Sequence, residues 1–530
     1  MSRSPFPVHV RAEASGPLSS ELVMLLESVL PVQFVFGGES TAEWSGEILV
    51  EDGPRRAQVG ARQISSFGLS GDGSAAVESG QREAAIRFSD DADVPFPYRS
   101  RFLRTKMTGE AKVLTLNGGE KVLARNERGP VWAVSEEGGV KHFRSGFALP
   151  KIPAGGSLVD VLNGDQFVQM LPLLHWLGEI GAGASFHGPP LRACFMFDDP
   201  NLHWPRYGWI DYRLLAAHAT RENYHVSFAT IPLDTWFTHR EAADVFRTHA
   251  DRLSLLVHGN DHTKRELARN YTEASRAFLL GQAIQRVERL ERKAGVQVGR
   301  VMVPPHGACS EEMLADLPKC GFEAACISHG SLRAHNKAKA WTKKLGYLPS
   351  ELVEGCPVLP RWGLSCGKNA ILLAAYLRQP IVLRGHQQDL KNGVETLDEL
   401  ARFINSLGSV QWRNMTDLSR INAQWRIEGN TCTLKPLGRR VIFRIPEQVT
   451  RLVVESPCKD SFESWRVTDT RGAASEARSG EPLALAAEGN RVAAIEAVTR
   501  VKAPGTASRP APASAILRRL ITETRDRLLR

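Results

Sequence analysis

Residues 183–426 alternate between short apolar runs and longer runs of helical spacing, and no other feature limits the fold as much. Strand-like runs fall at 191–197, 225–232, 253–258, 300–304, 322–328, 380–386 and 410–415. Helix-like runs at 210–220, 240–251, 264–293, 311–320, 370–377 and 396–407 lie between them. Such alternation predicts parallel strands joined by crossover helices. About seven units of this kind suit a closed barrel, whose chemistry gathers at the C-terminal ends of the strands. Asp198, Asp199, His258, His262, Pro305, His306 and His386 all fall at or just after predicted strand ends.

The first run ends in Phe197-Asp198-Asp199-Pro200. Two carboxylates at the tip of a buried strand are costly unless paired, solvated or bound to a metal. The third run ends in His258-Gly259-Asn260-Asp261-His262. Zinc and similar ions accept imidazole nitrogens and carboxylate oxygens, and a catalytic site keeps one position for water. Thr263-Lys264-Arg265-Glu266 has capping-box spacing and predicts a helix start, which leaves His262 in the turn before it. One aspartate of the pair would complete a set of three ligands with the two histidines. The other would be free to take a proton from water. His203 and Trp204, just after the acids, would line the mouth.

The flanks read differently. Residues 1–182 predict an α/β domain with a helix at 18–29, strands at 32–36, 46–50, 84–88, 112–116 and 131–135, and a Gly/Ser-rich loop at 68–80. An apolar helix is expected at 167–180 in spite of Pro172, with His175 as a core residue. Gly68-Leu69-Ser70-Gly71 lacks the strand–turn–helix setting of a nucleophile elbow. Residues 427–500, with strand-like runs at 431–434, 440–445 and 450–455, predict a small antiparallel β domain. In 501–530, a Pro/Ala-rich linker (501–514) precedes a basic amphipathic helix, AILRRLITETRDRLLR. That helix would dock on the fold or contact a membrane surface or a protein partner. The run from Gly363 to Asn369 is one residue short of a phosphate loop and ends in Asn rather than Ser/Thr.

The net charge of +9 is scattered, with no basic aromatic-rich motif, which argues against a nucleic-acid partner. Eight cysteines form no C-x-x-C pair, and the N-terminus lacks a secretory pattern. Both predict a cytoplasmic protein, with the inner face of the membrane as a further setting. No apolar run is long enough to span a bilayer.

Taken in order, four motifs resemble those of the polysaccharide deacetylase family (NodB-homology, carbohydrate esterase 4 type). Phe197-Asp198-Asp199-Pro200 resembles the first motif (T-F-D-D-G/P), and His258-Gly259-Asn260-Asp261-His262 the second (H-S/T-x-x-H). Val303-Pro304-Pro305-His306-Gly307 resembles the third (R-x-P-Y/x-G), and Arg384-Gly385-His386 sits where the last (L-x-H) is found. The resemblance covers residues 183–426 and is that of a divergent member. It implies a distorted (β/α)7 barrel. In it Asp198 would be the general base, and Asp199, His258 and His262 the ligands of a divalent metal, Zn2+ first among the choices. His386 would be the general acid. A backbone N–H near Pro305 and His306 would help hold the oxyanion. The implied reaction removes N-acetyl groups from a sugar or glycan precursor and releases acetate.

The departures are specific. Gly259 replaces the Ser/Thr of the second motif, which loosens one hydrogen bond but not the ligation. Val303 stands where the family has an arginine that orients the catalytic aspartate, and Arg361 or Arg384 would supply that charge from another strand end. Arg361-Trp362 is the nearest counterpart of the family's Asp/Trp motif. His306 would be a substrate contact, a second acid or a polar loop residue. Two other functions stay open: hydrolysis of a different C–N bond on the same barrel, and a catalytically inactive module that binds a glycan or partner.

Overall fold

The computed structural model describes residues 8–12, 18–36, 44–50, 58–59, 62–69, 81–164, 166–456, 464–469, 472–498 and 513–528. The chain divides into two compact units. One is Met1–Phe186 with Ala340–Leu348 and Gly367–Leu377; the other is His187–Lys339 with Pro349–Cys366 and Arg378–Arg530.

The first unit is built on one nine-stranded mixed sheet. Strands Val32–Phe36, Val8–Ala12, Trp44–Val50, Ser65–Leu69 and Val140–Ser145 pair in parallel, in that order. Pro130–Glu137, Lys121–Arg125, Gln81–Phe88 and Phe102–Thr108 continue it antiparallel. The helix Phe167–Ile180 buries nearly every side chain of its first three turns. Its Trp176 donates Nε1–H to Ser65 Oγ at 2.9 Å and lies against Phe67. His175 meets the Trp132 and Phe143 rings edge-on, and burial pushes its pKa down to about 4, as befits a core residue. The expected strand at 112–116 is absent. Lys112 and Leu114 donate single backbone bonds to Gly146 and Pro130, with no ladder. Gly68 and Leu69, expected in a loop, close a strand, and residues 70–80 lie outside the described ones.

The second unit holds the parallel sheet, and elements are numbered within it. Its strands are β1 (Arg192–Asp198), β2 (Val226–Thr230), β3 (Leu253–Val257), β4 (Val298–Met302), β5 (Ala324–Cys326), β6 (Cys356–Leu359), β7 (Trp362–Gly363) and β8 (Ile381–Gly385). Pairing runs β6-β5-β4-β3-β2-β1-β8-β7, all in parallel, with Glu351–Val353 antiparallel on β6. Residues 356–363 thus pair with β5 at their start and with β8 at their end, so the sheet curls into a barrel-like layer. Helices α1 (Tyr212–Arg221), α2 (Arg240–Thr248), α3 (Glu273–Ala294), α4 (Glu311–Asp316) and α5 (Glu395–Asn405) lie among the strands. Every side chain of β1 is buried, as expected for a parallel strand covered on both faces. Cys194 and Met196 join Ala229, Leu256, Val301, Val303, Cys326, Leu359 and Val382 in the interior cluster. With a side-chain period of two, Asp198 continues that inward face at the strand's C-terminal end.

Three expectations for this region change. The 410–415 run is a two-residue pairing, Gln411–Trp412, on the start of β1 and off the main sheet. Its place is taken by 356–363, a stretch outside the expected strands that is broken by Pro357, Pro360 and Gly363. The helix expected from 264 begins only at Glu273, with Thr272 as its N-cap. The 370–377 helix is Gly367–Tyr376 and belongs to the first unit.

Residues 423–498 form two four-stranded sheets around Cys432, Leu434, Val441, Leu452, Trp465 and Ile495. Pairing is antiparallel save between Thr431–Pro436 and Arg451–Val454. Residues 501–512 lie outside the described ones; α6 (Ala513–Leu528) follows. Among the described residues the cysteines are free, and all but Cys366 are buried. No described helix is long and apolar enough to cross a membrane.

Candidate metal centre and active site

Three side chains from two strand ends converge. Asp199 Oδ1 lies 3.0 Å from His262 Nε2 and 3.5 Å from His258 Nε2, and the three donor atoms sit within 4.8 Å of one another. The His258 ring is fixed by its other nitrogen, with Nδ1 2.8 Å from the Val303 carbonyl. A carbonyl only accepts, so Nδ1 carries the proton and Nε2 presents its lone pair. Asp199 Oδ1 is buried yet makes no well-aligned hydrogen bond, although two imidazoles stand beside it. Two ring nitrogens and a carboxylate oxygen that face a common point suit a cation. The donor set, two nitrogens and one oxygen, fits a divalent metal with room for water.

The titration pattern follows from this crowding. Burial alone would raise the Asp199 carboxyl, but the contacts and charges of the two imidazoles hold it well below the usual carboxylate range. Burial lowers His258 too, but Asp199 and the Asp198 charge raise it on balance. Burial wins at His262, helped by the His258 and Arg519 charges, and its pKa is lowered.

The backbone here is unusual. Asp199, His262 and His306 have φ of 83°, 55° and 58°. Left-handed geometry is uncommon outside glycine, and such strain collects at functional sites whose surroundings enforce it. The enforcing group around His262 is Glu266. Its carboxylate is buried and accepts the N–H groups of Asn260 (2.8 Å), Asp261 (2.7 Å) and His262 (3.2 Å). This corrects the capping-box expectation: Glu266 bonds back to the ligand loop, so no helix starts there. Arg286 Nη1 adds 2.6 Å contacts to Asn260 Oδ1 and Asp261 Oδ1.

The same packing accounts for Gly259. It sits at φ 65°, and a Cβ there would overlap Glu266 Oε2 and lie 2.6 Å from Pro305 Cγ. We expect Gly259→Ala to cost about 2 kcal/mol or more, from left-handed strain and from pushing Glu266 off the loop. Thermal unfolding with and without added zinc checks this. A variant as stable as the parent would mean that the loop tolerates a different shape.

The second aspartate stands apart from the trio. Asp198 is 4% exposed, and both its carboxylate oxygens lie 3.3 Å from Nη1 of Arg361, itself 6% exposed. Arg361 enters from the bend between β6 and β7. Val303, at the position of the family arginine, is fully buried and serves His258 through its carbonyl. Arg384 goes elsewhere: its Nη1 lies 3.4 Å from His386 Nδ1. A guanidinium only donates, so Nδ1 accepts and the neutral ring carries its proton on Nε2. The His386 N–H is bound to Asp389 Oδ2 at 2.7 Å. His306 is exposed, with its ring centroid 5.2 Å from that of His262, and Pro305 is buried beneath it. Trp362 is half-buried in β7, paired with Leu383. Exposed aromatics rim this end of the unit: Trp204, Trp209, Trp236 and Phe237. Trp236 and Phe237 both stand against the His203 ring. A cavity of about 510 Å³ between Trp236, α3 and α6 shares no lining residue with the trio.

The fold is similar to that of a solved carbohydrate deacetylase. Agd3, described as a novel carbohydrate deacetylase, covers 93% of this chain and 98% of its own length at 11% identity, with a TM-score of 0.50. At that identity the likeness is one of fold. Two further structures overlap too loosely to carry an argument. A family 4 carbohydrate esterase from Streptomyces lividans in complex with acetate has 12% identity, 41% and 90% coverage and a TM-score of 0.24. The catalytic domain of a peptidoglycan N-acetylglucosamine deacetylase from Eubacterium rectale has 13% identity, 44% and 94% coverage and a TM-score of 0.25. No protein-family model matches the sequence, and no curated protein matches it.

Proposed function

We propose that this chain is a metal-dependent hydrolase that removes N-acetyl groups from a sugar or glycan. The observation that carries this reading is a set of three converging ligand atoms on Asp199, His258 and His262, with a separate carboxylate, Asp198, held beside them at the end of β1 by Arg361. A bound divalent metal, zinc first, would lower the pKa of a water and polarise the acetyl carbonyl.

The chain's own residues supply the rest. Asp198 takes the proton of the attacking water, and the Arg361 guanidinium keeps its carboxylate in one position and balances its buried charge. The backbone N–H of His306, whose neighbours Gly307 and Ala308 bond back to Pro304 and Pro305, would help hold the developing oxyanion. His386, protonated to the imidazolium, gives a proton to the departing amine and returns to the neutral ring, so the C–N bond breaks to leave acetate and a free amino sugar. Trp204, Trp236 and Phe237 offer flat apolar faces to sugar rings next to the reacting unit.

The test is acetate release from N-acetylated mono- and oligosaccharides, with amine appearance measured in parallel. We expect one amine per acetate, activity lost to a chelator and restored by Zn2+, and kcat/KM that rises with oligosaccharide length. Release of ammonia or a different acid would instead favour another C–N bond. Glycan binding without turnover on any amide by the metal-loaded protein would make the chain a binding module.

A further inference from the structure

Helix α6 docks with its polar face inward. Ala515 and Arg519 are buried and Arg518, Thr522 and Glu523 half-buried, a three–four spacing that places them on one side. The large apolar side chains Ile516, Leu517, Leu520 and Ile521 are exposed, at 44–61%. A surface helix ordinarily buries its apolar stripe. This one is held by directed polar bonds, and they go to three strand-end loops of the site.

Arg519 pairs with Asp234 in the turn after β2, with Nε 3.2 Å from Oδ1 and a second, closer contact from Nη2 to Oδ2; both side chains are buried. Glu523 takes His203 Nδ1 at 2.8 Å and Asn201 Nδ2 at 3.3 Å, in the loop that follows Asp198 and Asp199. His203 Nε2 meets the Asp234 carbonyl at 2.6 Å and links those two loops. Arg518 Nη2 donates to the Asp261 carbonyl at 3.1 Å and, more closely, to the His262 carbonyl.

The last contact is the informative one. Glu266 binds the N–H side of residues 260–262, and Arg518 binds the C=O side of residues 261–262. A left-handed residue such as His262 costs about 1–3 kcal/mol and persists only where its surroundings over-determine it. Here the His262 backbone is held by the Glu266 carboxylate and the Arg518 guanidinium, beside the Arg286 contacts to Asn260 and Asp261, and the Arg518 guanidinium arrives from a helix 256 residues further along the chain.

We propose that α6 is an integral part of the catalytic centre, with Arg518 the positioning residue that holds the His262 loop in its ligating shape. This rests on the metal-dependent reading above, and its test has a readout that does not. The full chain is compared with Arg518→Ala, Arg518→Lys and the outward control Leu517→Ala. Hydrogen exchange at amides 260–262 is read in metal-free protein. Zn2+ affinity and the kcat and KM for acetate release are read alongside. For Arg518→Ala we expect exchange about tenfold faster at these amides, Zn2+ bound about 10–100-fold more weakly, and kcat lowered more than KM is raised. Arg518→Lys, which keeps the charge and a donor, should recover part of each effect, and Leu517→Ala should match the parent. Should the alanine variant not fold, the lysine variant decides, with an intermediate rise in exchange at 260–262 alone. Unchanged exchange and unchanged Zn2+ affinity in Arg518→Ala would overturn the proposal. A parent that binds no metal while Arg518→Ala still loosens residues 260–262 would instead remove the metal-centre reading and leave the loop clamp standing.

Discussion

Asp198→Asn lowers kcat for acetate release by about 10²–10⁴-fold while the chain keeps its metal. The expected loss is that of a general base, since an amide has no basic oxygen to take the proton of the attacking water. The ligand trio does not include Asp198, so metal content should stay at the parent's value. Stability will fall somewhat. Arg361 is buried, and an Asn oxygen still accepts its N–H but leaves its charge uncompensated, for roughly 1–3 kcal/mol. That loss is too small to explain the rate. A protein of ordinary stability, about 5–15 kcal/mol, remains more than nine-tenths folded at 25 °C after losing 3 kcal/mol. Kinetics beside metal analysis checks this. Activity within tenfold of the parent, with metal bound, would remove Asp198 from the role of base.

His258→Ala/His262→Ala takes bound transition metal from about one per chain to near none. Two of three donors go, and the single carboxylate of Asp199, just after β1, does not hold a divalent ion against water at micromolar concentrations. The parent should gain thermal stability with added Zn2+, by about 2.7 kcal/mol at a hundredfold excess over Kd, and the double variant should gain nothing. His258 is fully buried and its loss also strands the Val303 carbonyl, so the variant's own baseline will be lower. The response to zinc, not the baseline, is therefore the quantity to compare. A parent whose unfolding ignores zinc, or a double variant that responds equally, would rule out this ligand set.

Much of the centre was legible because its parts are local patterns. Phe197-Asp198-Asp199-Pro200 closes an apolar run, and His258 to His262 closes another. Strand ends in a parallel sheet share one edge, so alternation alone predicts that these groups gather there. Other parts were misread where one local pattern serves two purposes. Thr263 to Glu266 has the spacing of a helix cap, yet the Glu266 carboxylate finds three N–H groups behind it in the loop instead. The stretch 356–363 carries two prolines and a glycine and is not among the strand-like runs, yet it pairs with β5 and β8 and carries Arg361 to Asp198.

The sequence by itself therefore determined which chemistry is present: carboxylates and imidazoles at the ends of buried strands, in an alternating α/β frame. Only the tertiary structure decided which groups meet. It chose Arg361 over Arg384 as the partner of Asp198, left Gly259 no room for a side chain, and turned Arg519 and Arg518 of α6 onto Asp234 and the His262 loop. The physical reason is range. Periodicity and breakers act over a few residues and are written in order along the chain. A buried charge is satisfied by whatever partner the fold brings within about 3 Å, and that partner carries no mark of its distance in sequence.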